Sequence, residues 1–231
     1  MGRLDGKVVL ITGSNRGIGK AIARSCANEG ASLTLAARGT ESLEQTANEI
    51  TKEFGVNVVA ISTDVSKEEE IEVLFKRSQS EHGQLDILVN NAGAFDGGSI
   101  EDIGLDMWNN VIGACMTGTF LATRSAFRIM KNGNGGRILN VGSISAQIPR
   151  MYSVPYTAAK HGILGLTKAA ALEGRDYGII VSALHPGNVR VERRTEEGGQ
   201  TAGSGMASEK NEPMMTVDEI ADVALTMLAL P

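Results

Sequence analysis

The chain of 231 residues contains little cysteine, few aromatic residues and no long hydrophobic run. Its two cysteines, Cys26 and Cys115, are too few for a disulfide framework and match a reducing compartment, so we expect a cytoplasmic protein. No apolar run reaches the roughly 18 residues of a membrane-spanning helix, so we expect no membrane partner. Hydrophobic residues make up 42% and charged residues 21% of the chain, which excludes disordered and fibrous classes.

A basic segment and a cluster of metal ligands are also missing. The 22 basic residues are outnumbered by 27 acidic ones, and this net charge of −5 argues against nucleic acid as the main partner. The histidines, His82, His161 and His185, lack the spacing of metal ligands, and the two cysteines are scattered. We therefore predict no metal site.

Short β-branched runs alternate with longer segments of helical period along the chain. Strands are predicted over residues 7–12, 32–37, 57–61, 86–89, 137–141 and 179–184, with helices after each of them. Such alternation predicts an α/β fold with a doubly wound, Rossmann-like parallel sheet covered by helices on both faces. Because no repeat or linker divides the chain, residues 1–231 are predicted to form one domain. Residues 190–213 have no periodicity and are predicted to form a mobile substrate loop.

A glycine-rich turn joins the first predicted strand to the first helix. Its glycines lack a Cβ, so the backbone can approach a pyrophosphate, and the helix start offers N–H groups to phosphates. A glycine cluster alone is equally consistent with a structural turn, but its position at this junction favours dinucleotide binding. The predicted cofactor residues of the turn are Thr12, Gly13, Ser14, Asn15, Arg16, Gly17, Ile18 and Gly19.

The end of the second strand indicates which dinucleotide is bound. NAD-binding proteins usually carry an acidic residue there, which accepts hydrogen bonds from the ribose hydroxyls. This chain reads Ala36-Ala37-Arg38 instead, without a carboxylate. Arg38 and Arg16 are either two solvated arginines or a pair that holds a 2′-phosphate. Their two positions and the missing acid favour NADP(H).

A tyrosine and a lysine, Tyr156 and Lys160, stand four residues apart at the start of a predicted helix. This spacing places both side chains on one helix face, where the ammonium stabilises a phenolate by its charge. Ser143 follows the fifth strand, where a parallel sheet presents its carboxyl ends to ligands. We predict these three as the catalytic residues.

These motifs, in their order and spacing, resemble the short-chain dehydrogenase/reductase family over nearly the whole chain. The matching residues are the turn at 12–19, Asp64-Val65, Asn90-Asn91-Ala92-Gly93, Ser143, Tyr156, Lys160 and Pro186-Gly187. The resemblance implies hydride transfer between a nicotinamide and a carbonyl or alcohol carbon of a small molecule. Ketone, steroid and 3-oxoacyl thioester reductases all remain open.

The resemblance also implies a role for each matching residue. Tyr156 would be the general acid/base, Lys160 would also hold the nicotinamide ribose, and Ser143 would orient the substrate oxygen. Asp64 and Val65 would contact the adenine. By the same resemblance, the floor of the cofactor cleft would consist of Asn91, Ala92 and Gly93. The nicotinamide would be contacted by Pro186, Gly187 and Val189.

Two residues depart from the family pattern. Cys115 replaces an asparagine that helps to hold a helix kink and a proton-relaying water, and Val191 replaces a threonine that touches the carboxamide. Because a thiol should not replace the donor–acceptor pair of an amide, we expect a slower proton relay and a faster Cys115→Asn variant. Both departures favour an alternative, a dinucleotide-binding sensor or scaffold with little turnover. The intact Ser143, Tyr156 and Lys160 favour the enzyme.

The resemblance carries two further expectations about the whole molecule. The helices predicted at 106–131 and 153–175 would pair with those of a second subunit, giving a homodimer or homotetramer. Family members normally add one more strand after the last helix, here at about 217–230, but Pro231 follows directly. We therefore expect that the final strand is missing and that the native product is longer than 231 residues.

Overall fold

Six parallel strands form one central sheet in the computed structural model, which describes residues 2–191 and 213–230. The sheet order is β3-β2-β1-β4-β5-β6. The strands are β1 (Val8–Thr12), β2 (Ser32–Ala37), β3 (Val58–Ser62), β4 (Ile87–Asn90), β5 (Gly136–Val141) and β6 (Ile179–Leu184). All six predicted strands are confirmed to within a residue. The order changes direction between β1 and β4, and in open parallel sheets ligands bind at the carboxyl ends of the strands beside such a point.

Seven α-helices lie in the described part of the chain. They are α1 (Gly17–Asn28), α2 (Thr40–Phe54), α3 (Glu68–His82), α4 (Leu105–Ile112), α5 (Gly118–Met130), α6 (Val154–Gly174) and α7 (Val217–Ala229). The helix predicted at 106–131 is in fact divided, because a π-helical segment at Gly113–Thr117 separates α4 from α5. Such π-segments occur frequently at functional sites. No described helix is both long and apolar enough to cross a membrane.

Helices cover both faces of the sheet, which confirms the doubly wound, Rossmann-like architecture. Strand β1 demonstrates the arrangement, because Val9 and Ile11 pack into one buried cluster and Leu10 into another, all without solvent exposure. The first cluster includes Ile22 of α1, and the second includes Leu74 of α3. A strand buried on both sides needs a continuous apolar sequence rather than an alternating one.

A chain of buried polar side chains connects two helices through the centre of the sheet. The amide of Asn90 on β4 donates to Thr123 Oγ1 of α5 at 3.1 Å and to Asn140 Oδ1 of β5 at 2.9 Å. Asn140 in turn donates to Thr167 Oγ1 of α6 at 2.8 Å. These bonds fix α5 and α6 relative to the carboxyl ends of β4 and β5. Sequence reasoning did not detect this network.

Most of the predicted substrate loop lies outside the described residues, which omit 192–212. Its two described ends meet beside β6, where the N–H of Arg190 donates to the carbonyl of Met215 at 2.8 Å. Among the described strands, β3 and β6 are the sheet edges.

Candidate active site

The glycine turn after β1 leaves no room for side chains. Gly13 and Gly17 have φ values of 64° and 55°, in the left-handed region that favours glycine. A Cβ on Gly19 would lie 2.2 Å from the carbonyl oxygen of Gly13, and one on Gly13 would lie 2.8 Å from Ala92 Cα. The turn therefore requires glycine at these positions for steric reasons.

Two side chains lock this turn to the segment after β4. The amide of Asn91 donates to the carbonyls of Thr12 and Gly13 at 3.0 and 2.9 Å. In return, the hydroxyl of Thr12 accepts the N–H groups of Asn91 and Ala92, each at 3.1 Å. The structure thus brings together predicted cofactor residues that lie about eighty positions apart, on the two sides of the point where the sheet order reverses.

Two other predicted residues of the turn are bound to neighbouring elements. Ser14 is fully buried, and its hydroxyl accepts the N–H of Ala36 on β2 at 3.0 Å. Asn15 donates to the hydroxyl of Ser42 in α2 at 3.0 Å. These side chains fasten the turn in place, so any contact of theirs with a dinucleotide stays a prediction.

The N-terminus of α1 suits an anionic group. Arg16 occupies the N-cap position, and no side chain of the described residues caps the first turn. The N–H groups of this turn are therefore available to a phosphate, and the helix dipole favours negative charge there. This uncapped end and the glycine cradle together fit the pyrophosphate of a dinucleotide.

An arginine and a carboxylate lie beyond the ends of β2 and β3. Arg38 is exposed, and Ser62 donates its hydroxyl to the Arg38 carbonyl at 3.3 Å. Partial burial by itself would raise the pKa of Asp64. The hydrogen bonds from Ser66, together with the positive charges of Arg38 and Lys67, outweigh burial and lower that pKa below its ordinary value. Asp64 is thus held ionised within the electrostatic reach of Arg38.

Val65 packs against a glycine of α5. A Cβ on Gly118 would lie 2.7 Å from Val65 Cγ2, so this glycine allows the helix to approach the segment that contains Asp64 and Val65. Val65 is itself buried. A larger residue at 118 would displace both predicted adenine contacts.

Tyr156 and Lys160 lie in the first turns of α6, as the sequence predicted. Lys160 is only 5% exposed, and its Nζ donates to the carbonyl of Val141 at 2.8 Å. The same Nζ lies 5.5 Å from the centre of the Tyr156 ring. The phenol ring also meets Phe95 edge to face, with ring centres 4.9 Å apart. The buried Lys160 side chain is thereby fixed beside the phenol.

Ser143 begins the short 3₁₀ turn Ile144–Ala146, which packs against α6. Its Oγ accepts the N–H of Ser145 at 3.1 Å. Among the described residues nothing accepts the hydroxyl hydrogen, so it can donate to an oxygen in the cleft. Ser143 and the Nζ of Lys160 thus both lie at the carboxyl end of β5, and the ring of Tyr156 lies beside that Nζ.

The thiol of Cys115 forms hydrogen bonds that the sequence analysis did not predict. The fully buried thiol accepts the N–H of Ala94 at 3.3 Å and donates to the carbonyl of Ala94 at 3.2 Å. The thiol thus supplies one donor and one acceptor at this contact, whereas the expectation that it cannot replace the donor–acceptor pair of an amide stays a prediction. The reason is geometric, since the π-helical segment brings the thiol close to both main-chain groups of one residue. The effect on proton relay stays a prediction.

The segment after β6 closes the other side of the cleft. Val189 forms an isolated parallel β-bridge with Met215. If Gly17 carried a Cβ, that atom would lie 3.7 Å from Val191 Cγ1. Val191 thus faces the glycine turn. The Arg150 guanidinium donates to Asn188, which links the segments after β5 and β6. The sequence analysis missed this link and the pairing with Met215.

Comparison with known proteins agrees with this geometry. Residues 7–201 match the family model of the short chain dehydrogenases. Glucose 1-dehydrogenase 2 of Bacillus subtilis is 38% identical over 84% of this chain and 76% of its own. L-sorbose reductase from Gluconobacter frateurii, solved with NADPH and L-sorbose, gives a TM-score of 0.89 at 28% identity over 99% of this chain and 91% of its own. The 3-ketoacyl-(acyl-carrier-protein) reductase from Brucella melitensis, solved with NADH, gives a TM-score of 0.87 at 30% identity. The match covers 97% of this chain and 91% of that protein's chain.

The fold, the glycine turn and these matches define an oxidoreductase with a nicotinamide-binding, Rossmann-like fold. The chain belongs to the short-chain dehydrogenase/reductase family, whose members act on alcohol or carbonyl groups of small molecules.

Proposed function

We propose that this protein is an NADP(H)-dependent reductase or dehydrogenase that interconverts a small carbonyl compound and its alcohol. The observation that carries the proposal is the buried ammonium of Lys160, held by Val141 beside the ring of Tyr156. A buried charge costs free energy, so its place beside the phenol is best explained by a role in the proton transfer that we assign to Tyr156.

Each side chain of the proposed catalytic set has one task. The dinucleotide supplies or accepts the hydride when it is bound. Tyr156 gives its phenolic proton to the substrate oxygen during reduction and takes it back during oxidation. Lys160 stabilises the phenolate by charge, and Ser143 donates a hydrogen bond to the same substrate oxygen. Phe95 contacts the phenol ring edge to face and restricts its orientation.

The preference for NADP(H) rests on two exposed guanidinium groups. Arg16 starts α1 and Arg38 follows β2, and no carboxylate stands at the end of β2. Two guanidinium groups can bind the oxygens of a dianionic 2′-phosphate that NAD(H) lacks. Solved relatives bind NADPH in one case and NADH in another, so the preference is argued from these arginines.

The remaining contacts of the cofactor are proposed from the same cleft. Asp64 and Val65 would contact the adenine. The segment Asn91–Gly93 would form the floor, and Pro186, Gly187 and Val189 would lie against the nicotinamide. We further propose that the chain forms one domain, acts in the cytoplasm and assembles as a homodimer or homotetramer.

The substrate class is open among sugars, other ketones and 3-oxoacyl thioesters. Similar proteins include a glucose dehydrogenase, a sorbose reductase and a ketoacyl reductase. Phe95, which packs on the Tyr156 ring and is itself exposed, favours a substrate with an apolar part next to its reacting carbon.

The decisive experiment is an assay of NADPH consumption with ketoses, aliphatic ketones, aldehydes and 3-oxoacyl thioesters. We expect turnover with at least one of them, and we expect Tyr156→Phe to abolish it while leaving NADPH affinity almost intact. The matched control is Tyr177→Phe, the same change at an exposed tyrosine beside Lys131. Tight NADPH binding without turnover on any substrate would instead indicate the sensor or scaffold.

A further inference from the structure

Ser143 lies between two main-chain hydrogen bonds that extend the pairing of β5 and β6 beyond the sheet. The N–H of Gly142 donates to the carbonyl of Leu184 at 2.7 Å, and the N–H of Ile144 donates to the carbonyl of Pro186 at 3.0 Å. The N–H of Ser143 has a different partner, Nδ1 of His185 at 3.3 Å. A histidine side chain therefore supplies the acceptor for the main chain of a proposed catalytic residue.

The neighbouring bonds indicate which nitrogen of His185 carries the proton. Nδ1 also lies 3.0 Å from the carbonyl oxygen of Ser143. That carbonyl already accepts the N–H of Ala146 at 2.9 Å, whereas the N–H of Ser143 has no other acceptor among the described residues. Because an unpaired N–H costs more than a carbonyl with one bond instead of two, the favoured state has Nδ1 as acceptor and the proton on Nε2.

Gly142 provides the space for this imidazole. A Cβ on Gly142 would lie 2.4 Å from Nδ1 and 2.6 Å from Cε1 of His185. The backbone of Gly142 is outside the left-handed region, so its conformation alone does not demand glycine. The imidazole of His185 therefore explains why residue 142 is a glycine.

We infer that His185 is a positioning residue for Ser143, an inference that rests on the proposed role of Ser143 in orienting the substrate oxygen. The ring holds the N–H of Ser143, while Ser145 holds its Oγ. With both groups fixed, the hydroxyl hydrogen has a restricted direction. Without the imidazole, the N–H of Ser143 loses its acceptor, and the hydroxyl samples orientations that do not meet the substrate.

The first experiment compares three replacements of His185 in the full chain. The Oδ1 of asparagine is an acceptor three bonds from Cα, as Nδ1 of histidine is. The Oε1 of glutamine is one bond farther from Cα, and alanine has no acceptor. We expect His185→Ala and His185→Gln to lower kcat about 5- to 10-fold, the value of one hydrogen bond, while His185→Asn stays within about twofold. The KM for NADPH should not change. His161→Asn, on the exposed side of α6, is the matched control. Equal losses for Asn and Ala variants would overturn the inference.

The second experiment uses Gly142 as an independent route to the same ring. Gly142→Ala should displace the imidazole and lower kcat about as much as His185→Ala does. In the His185→Ala background the added methyl group has room, so Gly142→Ala should cost almost nothing further. If the two losses multiply instead, the glycine acts through another contact and the inference fails.

A spectroscopic reading separates this inference from the proposed function. The nitrogen chemical shifts of His185 should show an unprotonated Nδ1 and a protonated Nε2, and the amide signal of Ser143 should shift in His185→Ala but little in His185→Asn. These readings apply even if no substrate is turned over, in which case the proposed function fails and the positioning contact is still tested. A proton on Nδ1 in the wild-type protein would overturn the inference.

Discussion

The thiol of Cys115 forms a reciprocal pair of hydrogen bonds with the main chain of Ala94, accepting at 3.3 Å and donating at 3.2 Å. Cys115 belongs to the π-helical segment between α4 and α5, and Ala94 precedes Phe95, whose ring packs on Tyr156. The contact therefore connects the irregular part of a helix to the ring that covers the proposed acid. A Cβ on Gly93 would lie 3.2 Å from this sulfur, so little free space surrounds it.

We expect Cys115→Ala to destabilise the protein by about 1–2 kcal/mol, because two half-buried main-chain groups of Ala94 lose their partner. Cys115→Ser keeps a donor and an acceptor at the same site and should lose less. Thermal unfolding of the three proteins, with kcat measured alongside, provides the comparison. Cys26→Ala, another buried cysteine, controls for the loss of a thiol alone. Equal destabilisation by alanine and serine at 115 would show that packing rather than hydrogen bonding matters.

The rate of the Cys115→Asn variant tests the proton relay separately. The family resemblance predicts a faster enzyme, because an amide can also hold a relaying water. The site is tight, so the variant must first show a thermal midpoint close to that of the wild type. The measurement is kcat, together with its solvent isotope effect. An unchanged or lower rate in a folded variant would mean that another group relays the proton.

Lys160→Ala should lower kcat by at least about a hundredfold, because the phenolate loses its stabilising charge. It should also weaken NADPH binding, since the same ammonium is proposed to hold the nicotinamide ribose. Lys168→Ala, on an exposed position of the same helix, is the control. Steady-state kinetics and equilibrium titration with NADPH measure the two effects. Full turnover in Lys160→Ala would exclude the proposed role of the ammonium.

Arg38→Asp should raise the dissociation constant for NADPH about 10- to 100-fold and leave that for NADH unchanged or lower. The change removes a charge-assisted bond to the 2′-phosphate and adds repulsion. Fluorescence titration with both dinucleotides gives the ratio. Arg128→Asp, the same change at an exposed position of α5, should affect neither. Equal affinities for NADPH and NADH in the wild-type protein would refute the preference.

Asp64→Asn should lower the thermal midpoint at neutral pH by about 1–2 °C, a shift that a few tenths of a kcal/mol produce in a domain of this size. Burial opposes the charged form, but the Ser66 bonds, Arg38 and Lys67 lower the pKa of Asp64 overall. A carboxyl with a lowered folded-state pKa stabilises the protein above its unfolded-state pKa, and this contribution disappears as pH falls through the folded-state pKa. The wild-type and variant midpoints should therefore converge in acid. Asp176→Asn, at an exposed position, is the control, and a difference that persists in acid would contradict the argument.

Phe120→Glu should dissociate the proposed dimer. Of the apolar residues in the two long helices, Leu121 and Ile163 are buried in the chain's own core, whereas Phe120 and Leu172 are 46% and 61% exposed. These exposed side chains give α5 and α6 an apolar surface suited to a two-fold contact. Sedimentation at micromolar concentration should show a wild-type oligomer and a monomeric variant, with Val73→Glu on α3 as the control. A monomeric wild-type protein would refute the assembly.

The strands and the glycine turn could be predicted from sequence because their signals are local. A strand such as VVLIT is buried on both faces, and so its first four residues are apolar without alternation. The glycines at 13 and 17 are required by their own backbone angles. The break between α4 and α5 was missed because the π-helical segment covers only Gly113–Thr117, which is too short to interrupt the apolar pattern of the long helix.

The sequence by itself determined the α/β alternation, the position of the turn after β1 and the Tyr156–Lys160 pair on one helix face. Each follows from residues within a few positions of one another, whose geometry the backbone period fixes. Only the tertiary structure decided that Cys115 bonds Ala94, that Asn90 joins Asn140 and that the ring of His185 reaches the main chain of Ser143. Those contacts join segments 21 to 50 residues apart. They depend on the spatial order of the strands, because the parallel sheet places the carboxyl ends of β4, β5 and β6 side by side although long helices separate them in the chain.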